Sequence, residues 1–556
     1  MSGAEATATS EVRHRVALVA ATVVSLASGA AALVAGRSTW WFADDWNSFA
    51  MYADGSLLQP FNGHLSLLPA AVFRAMYGTV GMEHYLPYRV MAMVAIGCLL
   101  AVLGRHVTRS AGALAAVLVV AATVWSAAAA SNLLFPFLLN FTLPLIALVQ
   151  VWWSLERRDR RGDVTASIWL VVALCSSGLG LLVLAAVVVE LLVERVPWRR
   201  WATMAPGPVL WALWYAANRD ASPITTDPAK VGSYAARMLF GGLRSLAGDW
   251  APGGVVVGVV LVALVAAAVR SGGWRQGRLW GALTVPAAFI ALTSVTRVET
   301  VPAIPPDELR YAWTIGAALL LVGVAAGATL RADERVQRWR TGSGSTVVLG
   351  AAAVWIVAIV AGAFVLWGSM GDWSDMVSSS SPGIRSNLYA AEVVGPQRAD
   401  RSHVLPLSFE PVTTGSYLDA VAAVGSPMAG TTADQLGGSS LLRSAADRQL
   451  VQQLPIVATP LDPTDQLDPL DPSSCTDVDP SAVAPGSELR LSLADGAVPS
   501  AVRIARLAAD EDAIELGTVE PSGLSIIVPD DAEGAGPSLL PYRVLIGPGV
   551  RVVTCR

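Results

Sequence analysis

Residues 165–193, TASIWLVVALCSSGLGLLVLAAVVVELLV, decide the fold. The run is apolar throughout except at Ser176-Ser177-Gly178. A helix of about 20 apolar residues crosses the hydrocarbon, so this run is too long for one untilted span and short for two. If it crosses once, every later loop changes side. The flanking charges decide the matter. Glu156-Arg157-Arg158-Asp159-Arg160-Arg161 precedes the run, and Arg195, Arg199 and Arg200 follow it. Short loops rich in Arg and Lys stay in the cytoplasm. Both flanks therefore belong inside, and the segment reads as two short helices with a tight outer turn.

The same rule orders the rest of the chain. Arg13, His14 and Arg15 precede a span at 16–36 and put the N-terminus in the cytoplasm, with 1–12 as a disordered tail. That first span has no small-residue cleavage site and is expected to be retained. Further spans fall at 87–104, 111–130, 136–154, 201–217, 253–269, 279–295, 312–330 and 346–367, about eleven in all. Pro206 and Pro208 are expected to kink the seventh. The clusters Arg105/His106/Arg109, Arg270/Arg275/Arg278 and Arg331/Arg335/Arg338/Arg340 all fall on the inner side. An odd count places everything after 368 outside. Composition agrees: 54% of the 556 residues are hydrophobic, 15% are charged, and mean hydropathy is +0.53. These values belong to a multi-pass membrane protein. The net charge of −5 and the arginines crowded into short loops do not suggest nucleic acid as a partner, the basic groups being topological.

Beyond 368 the character changes. Residues 368–472 are rich in Ser, Pro, Asp and Gly, with a helical patch at Ser439–Leu454 and an acidic Pro connector, Leu461–Pro469. Residues 473–556 alternate apolar and polar groups at 488–493, 501–507, 513–519, 524–528 and 542–553, the pattern of a small β-sandwich or barrel. Of 4 Cys, Cys98 and Cys175 lie in apolar runs as small core residues. Cys475 precedes the first strand and Cys555 ends the last. In an oxidising compartment a bridge between them would tie the module's ends, worth roughly 4 kcal/mol in the chain-entropy model.

Residues 37–86 form the first external loop, opening with Trp40-Trp41-Phe42-Ala43-Asp44-Asp45-Trp46. Two surface helices follow, broken at Gln59-Pro60-Phe61-Asn62-Gly63. Trp favours the bilayer interface, and acidic groups at that depth are solvated or used. The plain alternative is that Asp44 and Asp45 cap the next helix. Asp54, Asn62, His64, Glu83 and His84 add further polar groups to the loop. His64 serves equally as a satisfied interfacial histidine. Arg310-Tyr311 places a cation before the tenth span, where a guanidinium can clamp a phosphate or simply snorkel to headgroups. Arg89 and Arg297 are similar. Gly-rich phosphate loops, Cys/His metal spacing and a G-x-S-x-G elbow are absent, which argues against an ATP-driven pump or a serine hydrolase. An outward carboxylate with a membrane-level cation suits sugar transfer from a lipid phosphate: the carboxylate takes the acceptor's proton and the cation balances the leaving phosphate.

The acidic pair in its aromatic setting, Phe42-Ala43-Asp44-Asp45-Trp46, together with the late external Arg310-Tyr311, resembles the GT-C class of integral membrane glycosyltransferases. The resemblance covers residues 13–367. It implies an α-helical polytopic membrane protein in the cell membrane with a C-terminal extracytoplasmic mainly-β domain. It further implies a polyprenyl-phosphate-linked sugar as donor, and an envelope glycan or lipid as acceptor. Asp44 or Asp45 would be the base, Arg310 would contact donor phosphate, and His64, Asn62, Tyr311, Trp46 and Arg89 would bind donor or acceptor. The C-terminal module is similar to that of cell-wall arabinosyl- and mannosyltransferases, although it carries few of the aromatics that sugar-binding modules expose. The sequence requires no organic cofactor and leaves open whether a divalent cation takes part. Two other readings compete: a transporter or flippase of lipid-linked precursors, and an inactive scaffold of the same build. The first predicts ionisable groups near the midplane of the spans and two related halves. The spans are nearly free of charge and show no internal repeat, with Glu190 near a cytoplasmic end.

Overall fold

The computed structural model describes residues 3–53, 55–61, 63–218, 225, 227–299, 304–332, 344–397, 399–405, 407, 412–429, 440–453, 456–461, 475–528 and 541–555. The Asp462–Pro469 part of the expected connector lies outside them, as do Asp54 and Asn62. The early helices are α1 (Gly3–Ala35), α2 (Asp44–Tyr52), α3 (Leu67–Val80), α4 (Leu86–Ser110), α5 (Ala113–Val124), α6 (Ala130–Leu134) and α7 (Leu139–Glu156). Next come α8 (Arg160–Leu174), α9 (Gly180–Val193), α10 (Trp198–Met204), α11 (Pro206–Asn218), α12 (Pro228–Leu246) and α13 (Ala251–Arg270). The last are α14 (Gly277–Arg297), α15 (Leu309–Arg331), α16 (Gly344–Val394), α17 (Thr414–Val424) and α18 (Ser440–Gln453). The chain folds as two compact units. One comprises Met1–Thr39, Ser56–Val72 and Leu86–Asp375; the other comprises Trp40–Gly55, Phe73–Tyr85 and Met376–Arg556.

The first unit is helical and membrane-spanning. Among the described residues 6 helices are long and apolar enough to cross a membrane, or 7 if the pair Ala113–Val124 and Ala127–Leu134, bent by 55°, counts as one span. Every expected span coincides with a helix or a helix pair. Several are short: α8 has 15 residues and α9 has 14. At 1.5 Å per residue each reaches only about 22 Å of a hydrocarbon core near 30 Å. At the expected kink α10 ends at Met204 and Pro206 opens α11, while Ala205 between them keeps helical dihedrals and its N–H still bonds to Trp201 (3.0 Å).

The run 165–193 does turn back on itself, and its surroundings show on which side. The Leu68 N–H donates to the Cys175 carbonyl (2.9 Å), so the α8–α9 turn meets the first turn of α3. On that side the Trp214 indole donates to the Leu58 carbonyl (2.8 Å), the Thr225 N–H to Val295 (3.2 Å), and Lys230 pairs with Glu299 (2.8 Å). At the opposite ends of these helices the arginine-rich loops meet one another. Arg105 and Arg109 lie over Trp153, Arg200 pairs with Asp163 (2.7 Å), and Arg278 reaches both Glu156 (3.1 Å) and Glu190 (3.0 Å). This segregation is what two crossings require.

The second unit holds α2, the later part of α3, α17, α18 and the strands β1 (Val404–Leu405), β2 (Val412–Thr413), β3 (Val457–Pro460), β4 (Cys475–Asp477), β5 (Glu488–Leu493), β6 (Ser500–Ala505), β7 (Ile514–Val519), β8 (Leu524–Ile527), β9 (Arg543–Leu545) and β10 (Val550–Cys555). β1 pairs with β2, and the others form a five-stranded sheet ordered β3-β8-β5-β10-β4 and a three-stranded sheet β7-β6-β9. Period-2 burial follows the sequence: Leu489 and Leu491 of β5, Ile526 of β8, and Val502 of β6 are fully buried. The expected single run at 542–553 is two strands in different sheets, because Gly549 turns with φ 84°. Asp447 of α18 accepts N–H groups from Arg506, Leu507 and Ala508 (3.1, 3.0 and 2.9 Å) and fastens that helix to the end of β6. Cys475 and Cys555 face each other in the β4–β10 register; their side chains lie outside the described part.

Arg278 and Glu190 form an ion pair inside the helical unit, with Glu190 almost wholly buried. Removing one partner leaves a buried charge, at a cost of about 3 kcal/mol. Glu190→Leu or Arg278→Met alone is expected to lower the thermal unfolding midpoint in detergent, and the double substitution to recover most of it.

Candidate active site

Asp44 and Asp45 form the first turn of α2, after Ala43 at φ 48°. Neither is the N-cap, so the plain capping alternative fails in its simplest form. Asp45 Oδ2 instead accepts the Tyr85 hydroxyl (2.8 Å) and the Phe42 N–H (3.3 Å). A carboxylate in the first turn is stabilised in its ionised form by the helix dipole. The helix is not the surface-lying element that the sequence suggests. Asp44 is 6% exposed, Asp45 and Trp46 are fully buried, and aromatic rings surround them. Trp46 packs edge-on to Trp40 (5.3 Å) and Tyr417 (6.3 Å), and Phe49 to Tyr77 (5.6 Å). Arg385 lies over Trp40 (4.4 Å). Arg74 donates to the Tyr52 carbonyl (2.7 Å) and to Gly55, closing the far end of α2. Glu392 takes the Tyr417 hydroxyl (2.5 Å) and Ser426 Oγ (2.6 Å), which fixes the Tyr417 ring against α2.

His64, Arg310 and Tyr311 belong to the helical unit, where the Arg297 charge acts on His64 and, with Arg310 and Tyr311, on Tyr234. Gly178 lets the His64 imidazole lie on the α8–α9 turn, since a Cβ there would come within 2.8 Å of the ring. Burial first, and the Arg297 charge second, lower the His64 pKa to about 4. Arg297 also acts on Tyr234 of α12, together with Tyr311, Glu308 and Arg310. Burial raises the Tyr234 phenol, which stays protonated and donates to the Ile304 carbonyl (3.0 Å). Arg310 lies over the Tyr311 ring (5.6 Å), and Arg237 pairs with Asp307 (3.5 Å). The result is a cluster of guanidinium and phenol groups suited to a phosphate. Arg89 stands elsewhere. It donates to the carbonyls of Ala32, Leu33 and Gly36 and so caps the end of α1, with Gly36 leaving room for the guanidinium.

Sequence reading missed Tyr85, Tyr417, Arg385 and Tyr234. Tyr85 follows Glu83-His84 and so belongs to the polar end of the loop, a local signal that marks it. Nothing local marks Tyr417, which is far along the chain from Trp46. Among the described residues no three His, Cys, Asp or Glu side chains converge on a point that could hold a metal ion.

The depressed His64 pKa has a thermodynamic consequence. Between about pH 6.5 and 4 the unfolded chain binds a proton at this position and the folded chain does not, so stability falls as pH falls. His64→Asn is expected to flatten that decline, by up to about 3 kcal/mol near pH 4, in thermal unfolding followed against pH. No family model matches the sequence, and no curated protein matches it. Among solved structures the chain is similar to ArnT from Cupriavidus metallidurans bound to undecaprenyl phosphate, with 14% identity and a TM-score of 0.45 over 71% of this chain and 84% of that one. It is similar also to ArnT from the same organism in the apo state, with 14% identity and a TM-score of 0.44 over the same shares.

Proposed function

We propose that this chain is a GT-C-type membrane glycosyltransferase that moves a sugar from a polyprenyl-phosphate donor to a hydroxyl of an extracytoplasmic envelope glycan or lipid. The observation that carries the reading is the acidic pair in the first turn of α2, buried among aromatic rings that fix its position. Asp44 is the base. Asp45 is held by Tyr85 and the Phe42 amide and lies deeper, so its part is to position the turn. The acceptor O–H proton passes to the Asp44 carboxylate. The acceptor oxygen bonds to the anomeric carbon, and the bond from that carbon to the phosphate oxygen breaks. The lipid phosphate leaves with both electrons, and Arg310 is the proposed cation that balances its charge. Tyr311 supplies a hydroxyl to the same group, and His64, neutral at physiological pH, orients hydroxyls rather than adding charge.

In this proposal the arginine-rich end of the helical unit faces the cytoplasm. The N-terminus is then inside, and the C-terminal domain is extracytoplasmic, where the Cys475–Cys555 register favours a bridge. One observation favours the inactive-scaffold reading: the Tyr85 clasp gives Asp45 a purely structural task.

Asp44→Asn and Asp45→Asn decide between them. With a panel of polyprenyl-phosphate pentoses and hexoses, Asp44→Asn is expected to lower kcat by about 10²–10⁴-fold with KM little changed. Asp45→Asn and Tyr85→Phe are expected to lower kcat less and to lower the unfolding midpoint. Full activity in Asp44→Asn overturns the assignment of the base.

A further inference from the structure

The arginine-rich end of the helical unit holds two adjacent indoles whose cations are treated differently. Arg278 lies over Trp152 (5.0 Å) and is neutralised by Glu190 and Glu156. Trp153 carries two guanidiniums, Arg105 at 4.9 Å and Arg109 at 5.5 Å. Among the described residues neither has a carboxylate within ion-pair distance. They stand at i and i+4 in the last turns of α4, where like charges repel. The indole beneath them is fixed, because its N–H donates to His106 Nδ1 (3.2 Å) and the imidazole is buried. Two cations on one fixed aromatic floor, without a counter-charge among the described residues, make a seat for an anion. A phosphate oxygen pair can accept from both forks at once.

The rest of α4 says what kind of anion. Val90, Val94, Cys98, Ala101, Arg105 and Arg109 are all exposed. Their spacing of three or four residues puts them in one stripe along the helix. The stripe is apolar for most of a membrane span and cationic at its end. A free phosphate uses only the end. A phospholipid uses the whole stripe, with an acyl chain along Val90, Val94, Cys98 and Ala101 and its headgroup at the arginines. Interfacial Trp and basic groups at helix ends are what such headgroups meet. We propose that Arg105 and Arg109, seated on Trp153, bind the headgroup phosphate of one anionic phospholipid whose chain lies along the exposed face of α4.

Native mass spectrometry of the full chain in detergent tests this with phosphatidylglycerol and phosphatidylcholine as competing probes. The wild type is expected to retain phosphatidylglycerol about tenfold over phosphatidylcholine. The Arg105→Gln, Arg109→Gln double variant, whose changes are on the surface, is expected to lose that preference. Arg275→Gln, which removes a single guanidinium from above Trp274, is expected to keep it. An unchanged preference in the double variant overturns the site. Abolition of lipid retention by an equal concentration of inorganic phosphate overturns the lipid assignment in favour of a small-anion site.

Discussion

The backbone at 175–179 has to find partners where two short helices meet. Its neighbours supply them: Leu68 gives an N–H to the Cys175 carbonyl, and the Ser177 hydroxyl goes to the Asn140 carbonyl (2.8 Å). In hydrocarbon an unpaired peptide group costs several kcal/mol, so non-helical backbone is found only where protein or water covers it. The turn therefore needs the loop that bears His64, and that loop needs the turn. Because Gly178 has no side chain, the imidazole itself completes the cover. The convergence of distant loops on the side where Arg297, Tyr234, Arg310 and Tyr311 gather follows from this requirement.

The same constraint explains how the broken helices are tolerated. The carbonyls at the end of α1 are taken up by Arg89, a side chain from α4 that the sequence offered as a ligand-binding cation. The bend between α5 and α6 is closed by Ser126, which accepts the Ala128 N–H (3.3 Å) and donates to the Ser245 carbonyl (3.3 Å). A guanidinium with five donors satisfies several carbonyls at once, which makes Arg as useful for ending a helix in a membrane as for holding a phosphate.

The helical framework was legible in the sequence because hydropathy and arginine placement are local signals with one dominant cause. The number of crossings at 165–193 could be inferred from charges on either side, and the contacts of Cys175 and of Arg200 agree. The environment of the acidic pair was not legible. Aromatic residues around Asp44 and Asp45 suggested a helix lying at a surface, but the same residues serve as the wall of a buried helix once Tyr417 is supplied from far along the chain. Amphipathic spacing cannot tell lipid from protein as the covering material. Strands β3 and β4 were missed for a related reason: both are short, and β3 ends in Pro460 within a stretch whose composition reads as linker.

Tyr417 ties the acidic helix to the end of the chain. Its ring lies against Trp46 and Phe49, and its hydroxyl is held by Glu392. The C-terminal part is thus no detachable appendage to a membrane-spanning domain. A truncation placed after the last membrane helix, natural or engineered, would strip the packing from the two carboxylates while leaving every transmembrane segment intact.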